Sequence, residues 1–267
     1  MAKVTIPELR ERKRRGSPIT MLTAYDYPTA RVVDRAGIDL ILVGDSVGMV
    51  CLGYPDTVPV TLEEMIHHTA AVARGTERAL VVGDLPFMSY QVSAEDAVRS
   101  AGRLVKEGRA DCVKLEGGTT QADKVEAIVR AGIPVMGHIG LTPQTATQLG
   151  GFKVQGRDAQ AAQALMADAK ALEAAGAFSV VLECVPSPLA ARITQALSIP
   201  TIGIGAGPRC DGQVLVLHDL VGLFDRFVPR FVKRYADLAS EMQKAVEAFR
   251  DEVTSGEFPG PEHGFEG

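Results

Sequence analysis

The stretch LILVGDSVGMVCLGY, residues 40–54, ends an apolar run with an aspartate and a serine. Residues 40–43 are all aliphatic, which predicts a short strand buried on both faces. Gly44 then allows close backbone packing, and Asp45 and Ser46 follow it directly. Aspartate is also a common turn residue, so Asp45 alone indicates nothing more than a turn or a cap. A functional site is indicated only if the same pattern recurs along the chain.

Polar residues do recur at the ends of later predicted strands. The third strand reads LVVGD and ends in Asp84, and the fourth reads CVKLE, with Lys114 and Glu116. The fifth contains VMGHIG, with His138, and the sixth ends in VVLE, with Glu183. In a parallel barrel the carboxyl ends of the strands meet at one rim, where active sites are built. The recurring pattern therefore predicts a single site.

Eight β-branched or aliphatic runs alternate with amphipathic helical stretches, which is the order expected of repeated βα units. Glycines near the ends of several helices, as in AGID and AGIP, suit the left-handed residue that closes a helix before the next strand. This regularity predicts an α/β fold, a (β/α)8 barrel, in preference to an open doubly wound sheet. The predicted strands are 20–25, 40–44, 80–83, 112–115, 134–137, 179–182, 201–204 and 214–217.

The length of 267 residues and the hydrophobic content of 46% suffice for one such barrel. We expect a single domain over residues 1–254, with an N-terminal helix and a long C-terminal helix. The tail over residues 255–267, rich in Gly, Pro and Glu, is expected to be loose. The C-terminal helix is predicted from apolar residues at helical spacing, namely Val228, Phe231, Val232, Tyr235, Leu238, Met242, Val246 and Phe249.

The charge pattern weighs against several kinds of partner. A net charge of -5 without a basic stripe argues against nucleic acid, and the one basic cluster, residues 10–15, is interpreted as a solvated helix face. No apolar run approaches the roughly 20 residues that span a bilayer, and no signal peptide is evident, so we expect a cytoplasmic protein. The four cysteines form no CxxC pair, which predicts neither a zinc site nor a disulfide framework.

Three of the strand-end acids, Asp45, Asp84 and Glu116, are expected to converge on a small mouth of the barrel. Their mutual repulsion would have to be compensated by protons or by a cation. Oxygen ligands without cysteine favour Mg²⁺, which usually keeps some of its sites for water or substrate. The alternative is that these acids cap helices or pair with Lys114.

The remaining rim residues suggest an anionic substrate. Lys114 and Glu116 stand two apart on one strand, so their side chains share a face, and a cation there suits an acid. His138 is expected either to hydrogen-bond to substrate or to be a satisfied histidine of the rim. Glu183 lies among apolar neighbours that desolvate its carboxylate, an environment that suits a general base.

Seven segments in fixed order resemble the ketopantoate hydroxymethyltransferase family: GDSVGM, GDLPFMSY, VKLEGG, GHIGLTPQ, GGFKVQGR, VLECVP and GIGAGPRCDGQVLV. The resemblance covers nearly all of the chain up to the tail. It implies a (β/α)8 TIM barrel of the phosphoenolpyruvate/pyruvate superfamily type, Mg²⁺, and a homodecamer. It also implies transfer of a one-carbon unit from 5,10-methylenetetrahydrofolate to 3-methyl-2-oxobutanoate on the way to pantothenate.

The same resemblance implies a role for each rim residue. Asp45, Asp84 and Glu116 would form the metal shell, with Glu116 acting directly or through water, and Glu183 would be the catalytic base. The ketoacid would be held by Asp45, Ser46, Asp84, Lys114 and His138. Two other functions stay open from the residues themselves: a Mg²⁺-dependent C–C lyase or mutase of the same superfamily, and a non-catalytic barrel that binds a metabolite.

Overall fold

The computed structural model describes residues 2–265, in which eight parallel strands close into a barrel in the order of the chain. The strands are β1 (Ile19–Thr23), β2 (Leu40–Val43), β3 (Leu80–Asp84), β4 (Cys112–Glu116), β5 (Val135–Gly140), β6 (Ser179–Glu183), β7 (Thr201–Ile204) and β8 (Gly212–Leu215). β1 pairs in parallel with both β2 and β8, which closes the sheet on itself. The predicted fold class is confirmed.

Helices follow the strands, and the chain divides into two compact units. The first unit runs through Val216 and the second starts at Leu217. The first holds the barrel with α1 (Ile6–Arg15), α2 (Tyr27–Arg35), α3 (Val47–Val50), α4 (Leu62–Gly75), α5 (Ala94–Lys106), α6 (Ala122–Arg130), α7 (Ala159–Ala174) and α8 (Ser187–Ala196). The second holds α9 (Leu217–Leu220) and α10 (Leu238–Ser255), and short 3₁₀ helices lie at Thr119–Gln121, Pro143–Thr145 and Pro261–His263.

Local sequence signals set where the outer helices begin. Thr61 and Glu64 form a capping box at the start of α4, each side chain accepting the backbone N–H of the other residue. Ser93 and Asp158 cap α5 and α7 by accepting the N–H three residues ahead. The loops between the strands and these helices therefore end at defined residues.

The barrel wall is apolar and closely packed. β2 is buried at each of its four positions and β4 at each of its five, as expected for strands covered by helices outside and side chains inside. Burying one Leu or Ile in such a wall contributes about 1.5–3 kcal/mol. The polar residues at the strand ends are therefore held by a rigid support.

Aspartates tie neighbouring strands together at the N-terminal end of the barrel. Asp39 precedes β2 and accepts the backbone N–H of Thr20 at 3.0 Å. Asp111 precedes β4 and accepts the N–H of Val81 at 2.8 Å, and Asp211 makes the same bond to the start of β7. These carboxylates satisfy strand-end donors that the sheet ladder leaves unpaired.

The basic cluster of α1 is partly built into this end of the barrel, so its interpretation as a solvated face was wrong for two residues. Arg12 donates to Asp39 at 2.8 Å, and Lys13 pairs with Asp211 at 2.8 Å. Arg14 is exposed, as expected. Sequence spacing could not indicate these pairs because the partners lie far along the chain.

Four predicted elements had wrong bounds. β1 ends at Thr23 instead of residue 25, and β5 ends at Gly140 instead of residue 137. β8 covers Gly212–Leu215 instead of 214–217, and α10 begins at Leu238, so residues 228–237 lie outside it. The backbone N–H groups of Tyr235 and Leu238 donate to the carbonyl oxygens of Leu220 and Val221 at 2.8 and 2.9 Å, so this segment bonds to the chain around the end of α9 instead of forming helical hydrogen bonds. The helix ends at Ser255, after which the ring of Phe258 lies 5.5 Å from that of Phe249. The expected single domain over residues 1–254 stays a prediction.

Within residues 2–265, no helix combines the length and the apolar character needed to cross a membrane. None of the four cysteines, all of which lie in this part of the chain, forms a disulfide, and Cys112 is buried in the barrel wall.

Candidate active site

The residues predicted from the strand ends lie together at the C-terminal rim of the barrel. Register places Asp84 beside Lys114 and Glu116 beside His138. Asp84 is only 1% exposed, whereas the side chain of Glu183 is 16% exposed, so Glu183 faces the open side of the site. The full set comprises Asp45 and Ser46 after β2, Asp84, Glu116 and Glu183 at the ends of β3, β4 and β6, Lys114 in β4 and His138 in β5.

Lys114 is the buried cation of the site. Its Nζ lies 2.9 Å from Asp84 Oδ1 and 3.2 Å from His138 Nδ1. Burial by itself would lower the pKa of Lys114, but the nearby carboxylates, Asp84 foremost, raise it above its ordinary value. The ammonium group therefore stays charged and can attract an anionic substrate.

His138 connects Lys114 to Glu183. Its Nε2 lies 3.1 Å from Glu183 Oε2, and its Nδ1 lies 3.4 Å from Glu116 Oε1. Burial and the Lys114 charge both lower the pKa of His138, but the two carboxylates outweigh them and raise it to about 9. The ring is therefore held between two acids, and its Nδ1 also faces the Lys114 ammonium at 3.2 Å.

The three acids predicted to bind metal carry more negative charge than their surroundings compensate. The backbone N–H of Asp45 donates to Asp84 Oδ2 at 3.1 Å. Burial, followed by the charges of Asp84 and Glu116, raises the pKa of Asp45 well above its usual range. The pKa of Asp84 is raised too, chiefly by burial, although Lys114 opposes the shift. A further cation would relieve this repulsion.

The donor atoms of this cluster fit Mg²⁺. Asp84 Oδ1 and Glu116 Oε1 are buried oxygens without an aligned hydrogen bond, and Lys114 offers Asp84 only an ionic contact. Among residues 2–265, no three His, Cys, Asp or Glu side chains already form a ligand cage. Mg²⁺ commonly takes one or two carboxylates and completes its shell with water and substrate, so an open oxygen cluster is compatible with it.

The side chain of Ser46 does not cap the helix that follows it, and its hydroxyl is hydrogen-bonded to another side chain of the site. It precedes α3 but makes no side-chain cap, and its Oγ lies 2.8 Å from the hydroxyl of Tyr25. A Cβ on Gly44 would come within 2.9 Å of Ser46 Oγ, so the glycine gives this hydroxyl its place. Burial raises the pKa of Tyr25 above its ordinary value, so the phenol stays protonated.

The backbone around Glu183 is tightly constrained. Gly140 lies beside Glu183 in the register of β5 and β6, with φ 98°, and a Cβ on it would stand 2.2 Å from the Glu183 carbonyl oxygen. Leu141 donates its N–H to that oxygen at 2.8 Å. Cys184, the next residue, has φ 50°, a strained conformation for a side chain and one that clusters at functional sites.

Sequence reasoning missed the polar residues that support these groups. Tyr25, Tyr90 and Gln144 are all buried and bond to Ser46, Glu116 or Asp45. The only available signal was their position in loops that follow strands, since Tyr90 ends GDLPFMSY and Gln144 ends GHIGLTPQ.

A closed parallel barrel that gathers buried acids, a lysine and a histidine at its C-terminal rim defines a class of protein, the barrel enzymes whose active site is built from the ends of the strands. A profile of the family "Ketopantoate hydroxymethyltransferase" matches residues 3–261. The chain belongs to this family and is an enzyme, as the seven segments indicated.

Two relatives align with the chain over nearly the full length of both sequences. The 3-methyl-2-oxobutanoate hydroxymethyltransferase of Moorella thermoacetica is 64% identical over 99% of this chain and 98% of its own length. The protein of the same name from Heliobacterium modesticaldum is 62% identical over 98% of this chain and 95% of its own.

Solved structures with low identity show the same fold. Phosphonopyruvate hydrolase in complex with oxalate and Mg²⁺ has a TM-score of 0.61 at 14% identity, covering 96% of this chain and 88% of its own. 2,3-Dimethylmalate lyase, described as a PEP mutase/isocitrate lyase superfamily member, has a TM-score of 0.59 at 17% identity, covering 98% of this chain and 90% of its own. These similarities show that the chain shares the barrel fold of these two proteins.

Proposed function

We propose that the chain transfers a hydroxymethyl group from 5,10-methylenetetrahydrofolate to 3-methyl-2-oxobutanoate, giving 2-dehydropantoate in the first committed step of pantothenate biosynthesis. The observation that carries the proposal is the row formed by Asp84, Lys114, His138 and Glu183 across four neighbouring strands, in which an ammonium and an imidazole lie between two carboxylates. This row offers the Lys114 ammonium for a ketoacid and a carboxylate at the solvent-facing end for proton removal.

The first task of these residues is to hold the ketoacid. Lys114 supplies the positive charge that attracts the substrate carboxylate, and the Ser46 hydroxyl, held by Tyr25, supplies a hydrogen bond. Asp45, Asp84 and His138 complete the polar lining of the same space. Holding the substrate by several groups presents its C3–H to Glu183 and removes much of the entropic cost of the reacting step.

Glu183 then acts as the general base. Its carboxylate takes the proton from C3 of the ketoacid and leaves the enolate, which is the nucleophile. The His138 ring, whose Nε2 lies 3.1 Å from Glu183 Oε2, holds this carboxylate in place. The enolate carbon forms a new bond to the methylene carbon of the folate, both carbon–nitrogen bonds of that methylene break, and water supplies the hydroxyl group of the product. The proton taken from C3 and the remaining proton of the water go to the two folate nitrogens.

Asp45, Asp84 and Glu116 would hold Mg²⁺. Bound Mg²⁺ would offset the charge of the three acids and, as a Lewis acid, withdraw electron density from the 2-oxo group of the substrate. Support comes from the unaligned buried oxygens of Asp84 and Glu116 and from the Mg²⁺ that accompanies oxalate in phosphonopyruvate hydrolase. We further infer, from the family resemblance, a cytoplasmic homodecamer.

Hydrogen exchange at C3 tests the base without the folate. With Mg²⁺ and no folate, the enzyme should exchange the C3 proton of 3-methyl-2-oxobutanoate for deuterium from D₂O. Glu183→Gln keeps the shape and removes the base, so exchange should fall by roughly 10² to 10⁴ while ketoacid binding survives. Proton NMR of the C3 position reads the rate, and Glu126→Gln, on the exposed face of α6, serves as the matched control.

Unchanged exchange in Glu183→Gln would move the base role to another group, with His138 the next candidate. The lyase alternative predicts cleavage of a C–C bond without folate, so product analysis with and without 5,10-methylenetetrahydrofolate separates the two functions. A wild-type enzyme that binds the ketoacid and neither exchanges its C3 proton nor turns over would contradict the proposal.

A further inference from the structure

Gln144 links two of the acids at the rim, although they lie on different strands. It sits in the 3₁₀ helix Pro143–Thr145 that follows β5, and it is 3% exposed. Its side-chain Nε2 donates to Asp45 Oδ2 at 2.9 Å, and its backbone N–H donates to Glu116 Oε2 at 3.1 Å. One residue therefore contacts one oxygen of each carboxylate.

The amide of Gln144 is saturated with hydrogen bonds, which determines its orientation. The second hydrogen on Nε2 goes to the carbonyl oxygen of Leu85 at 2.9 Å. Oε1 accepts from the hydroxyl of Tyr90 at 2.8 Å and from the amide of Gln91 at 3.3 Å. Exchanging the amide oxygen and nitrogen would place an oxygen against a carboxylate and a carbonyl, which the desolvated site would penalise.

Tyr90 holds this arrangement from the other side. Its hydroxyl oxygen accepts the backbone N–H of Glu116 at 3.1 Å, and its hydrogen has two acceptors in reach, Gln144 Oε1 at 2.8 Å and the Glu116 carbonyl oxygen at 3.0 Å. Tyr90 is buried, and burial raises its pKa above the ordinary value of a phenol, so it remains a donor. Tyr90 thus orients both Gln144 and the strand end that carries Glu116.

The consequence is a defined direction for the remaining oxygens. Because Gln144 occupies Asp45 Oδ2 and Glu116 Oε2, the carboxylates cannot rotate freely, and Glu116 Oε1 is left buried without an aligned hydrogen bond. Carboxylates that bind a metal are typically oriented by such hydrogen bonds, and removal of the supporting group weakens the metal site.

We propose that Gln144 is a positioning residue that orients Asp45 and Glu116 for Mg²⁺, and that Tyr90 orients Gln144. The inference rests on the proposed metal site and adds residues to it that the resemblance did not imply. A purely structural role, in which Gln144 only pins the loop after β5, predicts lower stability in its variants but unchanged affinity for the metal.

Titration calorimetry with Mn²⁺ alone, as a probe for Mg²⁺, distinguishes these roles. Gln144→Leu should raise the Mn²⁺ Kd by about 10- to 100-fold. Tyr90→Phe keeps the ring and removes the hydrogen bonds of its hydroxyl to Gln144 and Glu116, so it should raise the Kd by roughly 2- to 10-fold. Ser179→Ala, which removes a buried hydrogen bond to Pro200 at the other end of β6, is the control and should leave the Kd unchanged.

A second measurement separates positioning from misfolding. Excess Mg²⁺ should restore most of the turnover of Gln144→Leu, because mass action refills a weakened metal site. If Gln144→Leu does not fold, the Mn²⁺ Kd of Tyr90→Phe decides between a positioning role and a purely structural one. Wild-type Kd values in the folded variants would overturn the inference and leave the metal assignment standing, whereas a wild-type enzyme that binds no Mn²⁺ or Mg²⁺ would overturn both.

Discussion

Asp39→Asn is expected to destabilise the barrel by about 2–3 kcal/mol at neutral pH. The Asp39 side chain is 5% exposed and accepts from Arg12 at 2.8 Å and from Arg78 at 2.9 Å. Hydrogen bonds to charged groups contribute about 1.5–3 kcal/mol each. The side chains of Arg12 and Arg78 are 24% and 17% exposed, so water replaces part of the hydrogen bonding that they lose in the variant. Asparagine retains the shape and one acceptor for Thr20.

The stability lost in Asp39→Asn should depend on pH and should become smaller in acid. Burial alone would raise the pKa of Asp39, but hydrogen bonds from Thr20 and Arg78 and the charge of Arg12 lower it overall. Such a carboxylate stabilises the fold above its unfolded pKa of about 3.9, and the contribution disappears as pH falls through the lower folded value. The difference in unfolding free energy between wild type and Asp39→Asn should therefore be full at neutral pH and shrink below about pH 4.

Urea unfolding followed by circular dichroism, at one protein concentration and several pH values, measures this difference. Asp123→Asn is the matched control, because Asp123 is 64% exposed and its pair with Lys124 should contribute less than about 1 kcal/mol. The reasoning would be refuted if Asp39→Asn cost no more than the control, or if its cost stayed constant as the carboxylate became protonated.

Two further predictions concern the metal and the assembly. EDTA should abolish turnover and added Mg²⁺ should restore it, and Asp84→Ala should be severely impaired because the proposed site uses this carboxylate for both metal and substrate; full activity of the metal-free enzyme would contradict the metal assignment. Sedimentation velocity should give a particle of about ten times the 28.4 kDa chain mass, as the homodecamer of the resemblance implies; a monomer at working concentration would contradict that assembly.

Much of the catalytic rim could be predicted from the order of residues alone. Asp45, Asp84 and Glu183 each end an apolar run, and in a parallel barrel such ends meet at one rim because every strand points the same way. The alternation of apolar runs and helical stretches was therefore sufficient to predict that residues far apart in the sequence lie close together at this rim. The start of α10 was not predictable from periodicity, because the backbone N–H groups of Tyr235 and Leu238 bond to the carbonyl oxygens of Leu220 and Val221, and the apolar spacing does not indicate these partners.

The sequence by itself determined the barrel, the rim and the identity of its charged residues, because these follow from local periodicity and strand direction. Only the tertiary structure decided which side chains orient them. Gln144 reaches Asp45 across 99 residues of chain, and Arg12 reaches Asp39 across 27. Hydrogen bonds of this kind depend on distance and angle in three dimensions, and the order of residues along the chain specifies neither.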